Sequence, residues 1–169
     1  MLVLTIGDLR VSIEEPPGTP GVSASASGIP RRVGGPTRVV VVDDDPMVRE
    51  AVRALMEDRG FDVVGEAEDG LAAVGVVAEL LPDVVLMDVK MPVMDGLEAT
   101  RRITTAHPTV KVILLSAYDD ASFRRTADQI GAADYLVKGV SPLVLEQAIR
   151  NAGDRAVRDE SRPEGEPGV

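Results

Sequence analysis

Short apolar runs and helical apolar stripes alternate along the middle of the chain. The runs predict five strands, over residues 39–42, 61–65, 82–88, 110–115 and 134–137. The stripes predict helices over about 46–59, 70–81, 96–106 and 121–130, with a last helix starting after Ser141. Strands that alternate with helices form right-handed βαβ units, which predicts an α/β fold with one parallel sheet covered by helices on both faces.

The two ends of the chain differ from this middle part. Residues 1–36 are rich in Pro, Gly and Ser and predict a disordered, low-complexity leader, in which residues 2–13 could form a short strand or helix. Translation starting near Val33 or Val39 would still give the complete domain. The domain is predicted over 37–152, and 153–169 is predicted to be a frayed helix end and a disordered tail.

Composition narrows the range of functions. The chain has 18 basic and 28 acidic residues, a net charge of −10 that argues against direct nucleic-acid binding. It has no cysteine, which excludes disulfides and thiolate chemistry, and one histidine, which excludes mechanisms that need two imidazoles. No apolar run approaches the length of a membrane span, and the apolar start lacks the basic residues of a signal peptide. A cytoplasmic protein without membrane contact is expected.

Polar residues stand at the ends of four predicted strands. The first strand is followed by Asp43 and Asp44, the third ends at Asp88, the fourth is followed by Ser116 and the fifth by Lys138. In a parallel sheet these ends share one edge, so the side chains can converge although the first and last are 95 positions apart (138 − 43).

These residue types together suit phosphoryl transfer. Clustered carboxylates repel one another, and Mg²⁺ is the hard cation that stabilises them while leaving coordination positions for phosphate oxygens. A lysine adds a compact positive charge and a serine adds a hydroxyl donor. Each part has an ordinary alternative: the Asp43 to Asp45 triplet can cap a helix, as Asp45 is expected to do, Ser116 can be a turn residue, and Lys138 can be a solvated charge. Their conjunction at strand ends favours a site.

Four motifs resemble those of the receiver domains of two-component response regulators. They are Val-Val-Val-Val-Asp-Asp-Asp-Pro at 39–46, Leu-Met-Asp-Val-Lys-Met-Pro-Val-Met-Asp-Gly at 86–96, Leu-Ser-Ala at 115–117 and Tyr-Leu-Val-Lys at 135–138. The resemblance covers about residues 37–152 and is greatest to receivers that carry a LuxR-type helix-turn-helix output domain. It implies a flavodoxin-like receiver fold with a five-stranded parallel sheet in the order 2-1-3-4-5.

The resemblance also implies roles for the strand-end residues. Asp88 would be phosphorylated by a histidine kinase. Asp43, Asp44, Asp88 and the backbone carbonyl of Lys90 would hold Mg²⁺, Asp43 through water. Lys138 would pair with the phosphoryl oxygens. The chain would then be a phosphoacceptor rather than an enzyme, with at most self-phosphorylation and self-dephosphorylation activity.

Two further residues are implied to form the switch. Ser116 would move to hydrogen-bond the phosphoryl group, and Tyr135 would swing inward behind it. The surface formed by the fourth helix, fifth strand and fifth helix would change and contact a downstream protein. Because only 17 residues follow Ala152 (169 − 152), too few for a domain, we expect a stand-alone receiver or a truncated transcription regulator.

The sequence departs from the family pattern at one position and is distinctive at two. Many relatives have proline after the lysine, whereas Gly139 follows here, which argues against a cis peptide bond. Lys90 and Tyr118 lie where the family tunes hydrolysis of its acyl phosphate. Because both side chains are bulky and can shield the attacking water, we expect a long-lived phosphoryl group.

Two other functions are alternatives to this one. A haloacid-dehalogenase-like phosphohydrolase also uses an aspartate, Mg²⁺, a hydroxyl and a lysine, but its nucleophile ends the first strand in Asp-x-Asp-x-Thr, and this chain lacks that threonine. A phosphorylation-independent interaction module is the other alternative, and the presence of every site residue argues against it. His107 precedes Pro108 at a predicted helix end and does not suit a phosphotransfer histidine.

Overall fold

The computed structural model describes residues 2–6 and 9–13 by their backbone, and residues 35–160. The chain divides into two units, Met1–Pro30 and Arg31–Val169. In the first unit, strands β1 (Leu2–Ile6) and β2 (Leu9–Ile13) pair antiparallel, with Leu2 opposite Ile13. Residues 2–6 and 9–13 thus form the short strand structure considered as an alternative for this segment, with apolar residues at every second position of each strand. The disorder of the rest of the leader stays a prediction. The remaining leader residues lie outside the described ranges.

The second unit is a five-stranded parallel sheet flanked by helices. Its strands are β3 (Arg38–Val42), β4 (Asp62–Ala67), β5 (Val84–Asp88), β6 (Lys111–Ser116) and β7 (Asp134–Val137). Its helices are α1 (Pro46–Asp58), α2 (Gly70–Leu80), α3 (Gly96–Ala106), α4 (Ala121–Gln129) and α5 (Pro142–Glu160). The strands lie in the order β4-β3-β5-β6-β7 and all pairings are parallel. Counted within this unit, that is the predicted order 2-1-3-4-5.

The core has two layers, one on each face of the sheet. Alternate residues of the central strands point to opposite faces, so that Val40 and Val42 lie in one layer and Val39 and Val41 in the other. The first layer is completed by Val77 of α2 and Ile103 of α3, and the second by Met56 of α1 and Ile149 of α5, all fully buried. Helices therefore cover both faces, and the predicted fold class is confirmed.

Aspartate caps start the helices at the carboxyl edge of the sheet. Asp45, Asp69, Asp95 and Asp120 are the N-caps of α1 to α4, and each side chain accepts a hydrogen bond from a backbone N–H of the first turn. The cap predicted at Asp45 is confirmed. The caps lie two to seven residues after a strand end (69 − 67 and 95 − 88), so each helix starts close to the carboxyl edge of the sheet.

The last helix is longer than predicted. The apolar pattern frays at Asn151, yet α5 continues to Glu160 with Ala156 fully buried. Gly153 explains the close packing: a Cβ at this position would lie 3.0 Å from Cγ2 of Thr37. Small residues carry little hydrophobic signal, so the apolar pattern does not predict that this helix face is buried. Residues 161–169 lie outside the described ranges. Within those ranges no helix is both long and apolar enough to cross a membrane.

Candidate functional site

The structure brings the predicted strand-end side chains to one edge of the sheet. Asp43 follows β3, Asp88 ends β5 and Ser116 ends β6, and the three residues are only 3–5 % exposed. Lys138 follows β7 and its Nζ reaches across to the two aspartates. Asp44 lies beside them and is exposed. Parallel pairing of β3, β5, β6 and β7 produces this convergence.

One lysine contacts two buried carboxylates. Lys138 Nζ lies 2.7 Å from Oδ2 of Asp43 and 3.1 Å from Oδ1 of Asp88. Burial raises the pKa of Asp88, and although Lys138 opposes this, the nearby charges of Asp43 and Asp44 add to it, so that the pKa is raised overall. Burial lowers the pKa of Lys138, but its hydrogen bonds to both aspartates outweigh burial and raise the pKa. The lysine is therefore charged at neutral pH.

The three aspartates form a cluster of hard oxygen donors. One carboxylate oxygen from each of Asp43, Asp44 and Asp88 lies within 4.8 Å of the other two. Carboxylates at this spacing, two of them buried and one open to solvent, suit a divalent cation that keeps some of its water. Asp43 is also tied by an Asx-type turn, because the N–H of Asp45 donates to its Oδ1 at 3.0 Å. The donor set fits Mg²⁺ better than a soft metal.

The loop after Asp88 is held by backbone contacts. The N–H of Gly96 donates to the carbonyl of Val89 at 2.8 Å, and a Cβ on Gly96 would lie 2.0 Å from the carbonyl oxygen of Asp88. On its outer side the loop is fixed by the N–H of Gly70, which donates to Met94 O at 3.0 Å. Within the loop, Val93 has φ +65, an unusual conformation for a β-branched residue. The Lys90 carbonyl belongs to this same fixed loop, and its role as a metal ligand stays a prediction.

Tyr118 links the two residues predicted to form the switch. Its N–H donates to Oγ of Ser116 at 3.2 Å, and its carbonyl accepts from the hydroxyl of Tyr135 at 2.9 Å. The Tyr135 ring is 3 % exposed and lies under the guanidinium of Arg124, 5.1 Å from the ring centroid. On the outside, Nζ of Lys90 lies 5.4 Å from the centroid of the Tyr118 ring. The sequence indicates Tyr118 only as a bulky residue near the acceptor. Its contacts with Ser116 and Tyr135 are made by its backbone, so no residue pattern predicts them.

Three further observations complete the site. No peptide bond among the described residues is cis, and Gly139 after Lys138 has φ +94 instead. His107 is the C-cap of α3, at the opposite end of that helix from the Asp88 loop. The sequence reasoning missed Arg49 of α1, whose Nη1 donates to the carbonyl oxygen of Asp43 at 2.7 Å. An arginine on a helix gives no sequence signal of such a contact.

Comparison with known proteins gives concordant matches. A family model described as the response regulator receiver domain matches residues 39–150. The response regulator GacA of Pseudomonas viridiflava is 44 % identical over 114 residues, which are 67 % of this chain and 53 % of that protein. This chain therefore spans about half the length of such relatives.

Solved structures agree. The signal receiver domain of NarL from Mycobacterium tuberculosis superposes with a TM-score of 0.67 at 38 % identity, covering 71 % of this chain and 98 % of that one. The response regulator domain of CheB from Thermotoga maritima superposes with a TM-score of 0.65 at 34 % identity, covering 70 % and 97 %.

Proposed function

The chain belongs to the response regulator receiver domain family, and we propose that it receives a phosphoryl group on Asp88 from a histidine kinase of a two-component system. One observation carries the assignment of Asp88: its buried carboxylate lies 3.1 Å from Lys138 Nζ and belongs to the three-aspartate cluster. Asp43 is also buried, but both of its carboxylate oxygens already accept hydrogen bonds, Oδ1 from the N–H of Asp45 and Oδ2 from Nζ of Lys138.

The transfer step follows from these positions. An oxygen of the Asp88 carboxylate attacks the phosphorus of a phosphohistidine, the P–N bond breaks, and the imidazole leaves with its electron pair and takes up a proton. Lys138 neutralises the transferred phosphoryl oxygens, exchanging carboxylate contacts for phosphoryl contacts.

Mg²⁺ is the proposed cofactor. Asp43, Asp44, Asp88 and the backbone carbonyl of Lys90 would hold it, and the bound ion would neutralise the carboxylates and orient phosphoryl oxygens. The support is the chemistry and spacing of the donors in the acidic cluster. Asp43 is proposed to bind through water, since its two carboxylate oxygens already accept hydrogen bonds.

The signal is proposed to leave through the surface formed by α4, β7 and α5. A phosphoryl group on Asp88 adds about −1.5 to −2 charge and strong acceptor oxygens. Ser116 is proposed to donate a hydrogen bond to this group. Its Oγ accepts from the N–H of Tyr118, and its own hydroxyl hydrogen is left to donate. Movement of Ser116 would displace Tyr118, whose carbonyl holds the Tyr135 hydroxyl on β7. Ser116 and Tyr135 are thus the proposed switch pair.

The receiver domain is proposed to pass the signal to another protein. Relatives that share this domain include transcriptional regulatory proteins and protein-glutamate methylesterases, so the receiver is their common part. We propose that this domain acts through a downstream protein, adds no catalysis beyond its own phosphorylation and dephosphorylation, and does not itself bind nucleic acid. The family match sets aside the haloacid-dehalogenase alternative.

Intact-mass spectrometry tests the proposal. After incubation with phosphoramidate and Mg²⁺, the wild type is expected to gain one phosphate that is labile to hydroxylamine, as an acyl phosphate is, and the gain is lost with a chelator. Asp88→Asn removes the nucleophile at nearly constant size and is expected to gain none. A folded wild type that gains no phosphate would support the phosphorylation-independent interaction module instead.

A further inference from the structure

We propose that Arg49 is a positioning residue for the three-aspartate cluster and sets its affinity for a divalent cation. This inference rests on the proposed function, which gives the cation site its role, whereas the contact of Arg49 is seen in the structure. Arg49 lies in α1, and its side chain is 16 % exposed. It is not a member of the cluster, so its effect is exerted through the backbone that joins two of the cluster's carboxylates.

The contact is made to one particular peptide unit. Nη1 of Arg49 donates to the carbonyl oxygen of Asp43 at 2.7 Å, a short, charge-assisted bond. That carbonyl belongs to the planar peptide that joins Asp43 to Asp44. Rotation of the peptide plane would change the angle between the two carboxylates. Arg49 therefore fixes the relative orientation of two of the three cluster members.

The two aspartates differ in how much they need this support. The side chain of Asp43 is buried and tied by Asp45 and Lys138, so it has little freedom of its own. Asp44 is exposed, and the peptide before it is the part of its backbone that Arg49 holds. Without Arg49, Asp44 would sample more orientations, and binding a cation would require ordering it again.

Arg49 is itself positioned by β4. Its Nε lies 3.7 Å from Oε2 of Glu66, and Oε1 of the same glutamate accepts from Nη1 of Arg53 at 2.9 Å. Arg53 lies one turn further along α1 and is 47 % exposed. The two arginines thus share one partner, but the contact with the Asp43 carbonyl is made by Arg49. Arg53 is a matched control.

The experiment measures Mg²⁺ binding alone, without phosphorylation. An amide NMR titration of ¹⁵N-labelled full chain with MgCl₂ gives the dissociation constant for wild type, Arg49→Ala, Arg49→Gln, Arg49→Lys and Arg53→Ala, and thermal unfolding of each reports the fold. Loss of a group that orients metal ligands weakens binding by about tenfold or more, which is the result expected for Arg49→Ala and Arg49→Gln. Arg49→Lys keeps a positively charged N–H donor but not the planar guanidinium, and it is expected to recover part of the affinity.

The outcomes separate positioning from general stability. Arg53→Ala is expected to bind Mg²⁺ like wild type even where its melting temperature falls. If both folded Arg49 variants bind Mg²⁺ as tightly as Arg53→Ala, Arg49 does not position the site. If Arg49→Ala does not fold, Arg49→Gln decides by the same comparison.

The proposed function is judged separately by the phosphoramidate reaction of the wild type. Phosphorylation of wild type together with unchanged Mg²⁺ binding in the Arg49 variants contradicts only the role of Arg49. Weakened Mg²⁺ binding in the variants with no phosphorylation of wild type contradicts only the phosphoacceptor function.

Discussion

At the residue scale, the site depends on a single lysine held between two buried aspartates. Lys138 lies within 3.1 Å of both carboxylates, and its side chain keeps 30 % of its exposure. A flexible ammonium group suits this place, since it can turn from Asp43 toward a new anion without rebuilding a planar fork of hydrogen bonds. The contacts that Lys138 makes with the two aspartates are therefore ones that a phosphoryl group can take over.

The lifetime of the phosphoryl group is predicted to depend on the Lys90 and Tyr118 side chains. Nζ of Lys90 lies 5.4 Å from the Tyr118 ring centroid, and the pair bridges the two loops beside Asp88. An exposed cation–π contact is worth about 0.5–1 kcal/mol, so Lys90→Ala is expected to speed loss of phosphate roughly two- to fivefold by opening the path for water. Intact-mass decay curves measure this. Slower loss in Lys90→Ala than in wild type would contradict it.

Backbone strain at Val93 is predicted to lower stability. Its φ of +65 is a left-handed conformation that costs a β-branched residue about 1–2 kcal/mol, and its side chain is 80 % exposed, so nothing is lost by replacing it. Val93→Asn is expected to stabilise the domain by about 1 kcal/mol, because asparagine tolerates this conformation. Urea denaturation gives the value.

The control for Val93 is another exposed valine in ordinary helical geometry. Val144 of α5 is 47 % exposed, and Val144→Asn relieves no strain. It is expected to leave stability unchanged or lower it slightly. Equal stabilisation by both substitutions would mean that removal of a surface apolar group, and not strain, is the cause.

At the scale of elements, the start of α3 is fitted against the end of β5. A Cβ on Gly96 would lie 2.0 Å from the carbonyl oxygen of Asp88, and backbone cannot move aside as a flexible side chain can. Gly96→Ala is therefore expected to destabilise the domain by about 3 kcal/mol and to reduce phosphorylation of Asp88. Chemical denaturation and the phosphoramidate reaction measure the two effects.

Gly75 in α2 is the matched control for Gly96. It is exposed, and a Cβ there would meet nothing within 4 Å. Gly75→Ala is expected to stabilise by about 0.5–1 kcal/mol, through the better helix propensity of alanine. A mild effect of Gly96→Ala, similar to that of Gly75→Ala, would contradict the close fit.

The end of α1 and the start of α5 are joined by an ion cluster with a predicted pH dependence. Hydrogen bonds from Arg59 and Arg150 lower the pKa of Glu146. A carboxyl whose pKa is lowered by folding adds stability above its unfolded pKa, and this stability is lost as pH falls through the folded pKa. Glu146→Gln is expected to melt below wild type at pH 7, and the difference to shrink steadily as the pH is lowered below about 4.3, the ordinary glutamate value.

Thermal unfolding followed by circular dichroism across this pH range makes the comparison. Glu79→Gln, an exposed glutamate of α2, controls for the change of net charge. A Glu146→Gln difference that stays constant down to pH 2 would show that packing of the side chain, and not its charge, joins the two helices.

At the scale of the whole molecule, the sequence predicts the sheet and its polar edge but not the contacts that tune them. Runs such as 39–42 and 84–87 specify buried strands, and a parallel sheet then forces Asp43, Asp88, Ser116 and Lys138 together. The Arg49 contact and the Tyr118 backbone links depend on side-chain direction and peptide orientation, which no residue pattern encodes. The length of α5 is not encoded in the apolar pattern for a related reason, since the buried residues of its last part are the small Ala152, Gly153 and Ala156.

The central claim is that Asp88, among the clustered aspartates, accepts the phosphoryl group, and borohydride trapping tests it most directly. Borohydride reduces an aspartyl phosphate to homoserine, and peptide sequencing by tandem mass spectrometry then identifies the modified position. After phosphoramidate and Mg²⁺ treatment, homoserine is expected at position 88 and not at 43, 44 or 45. Homoserine at one of those three positions, or at none in a protein that gains phosphate, would contradict the account.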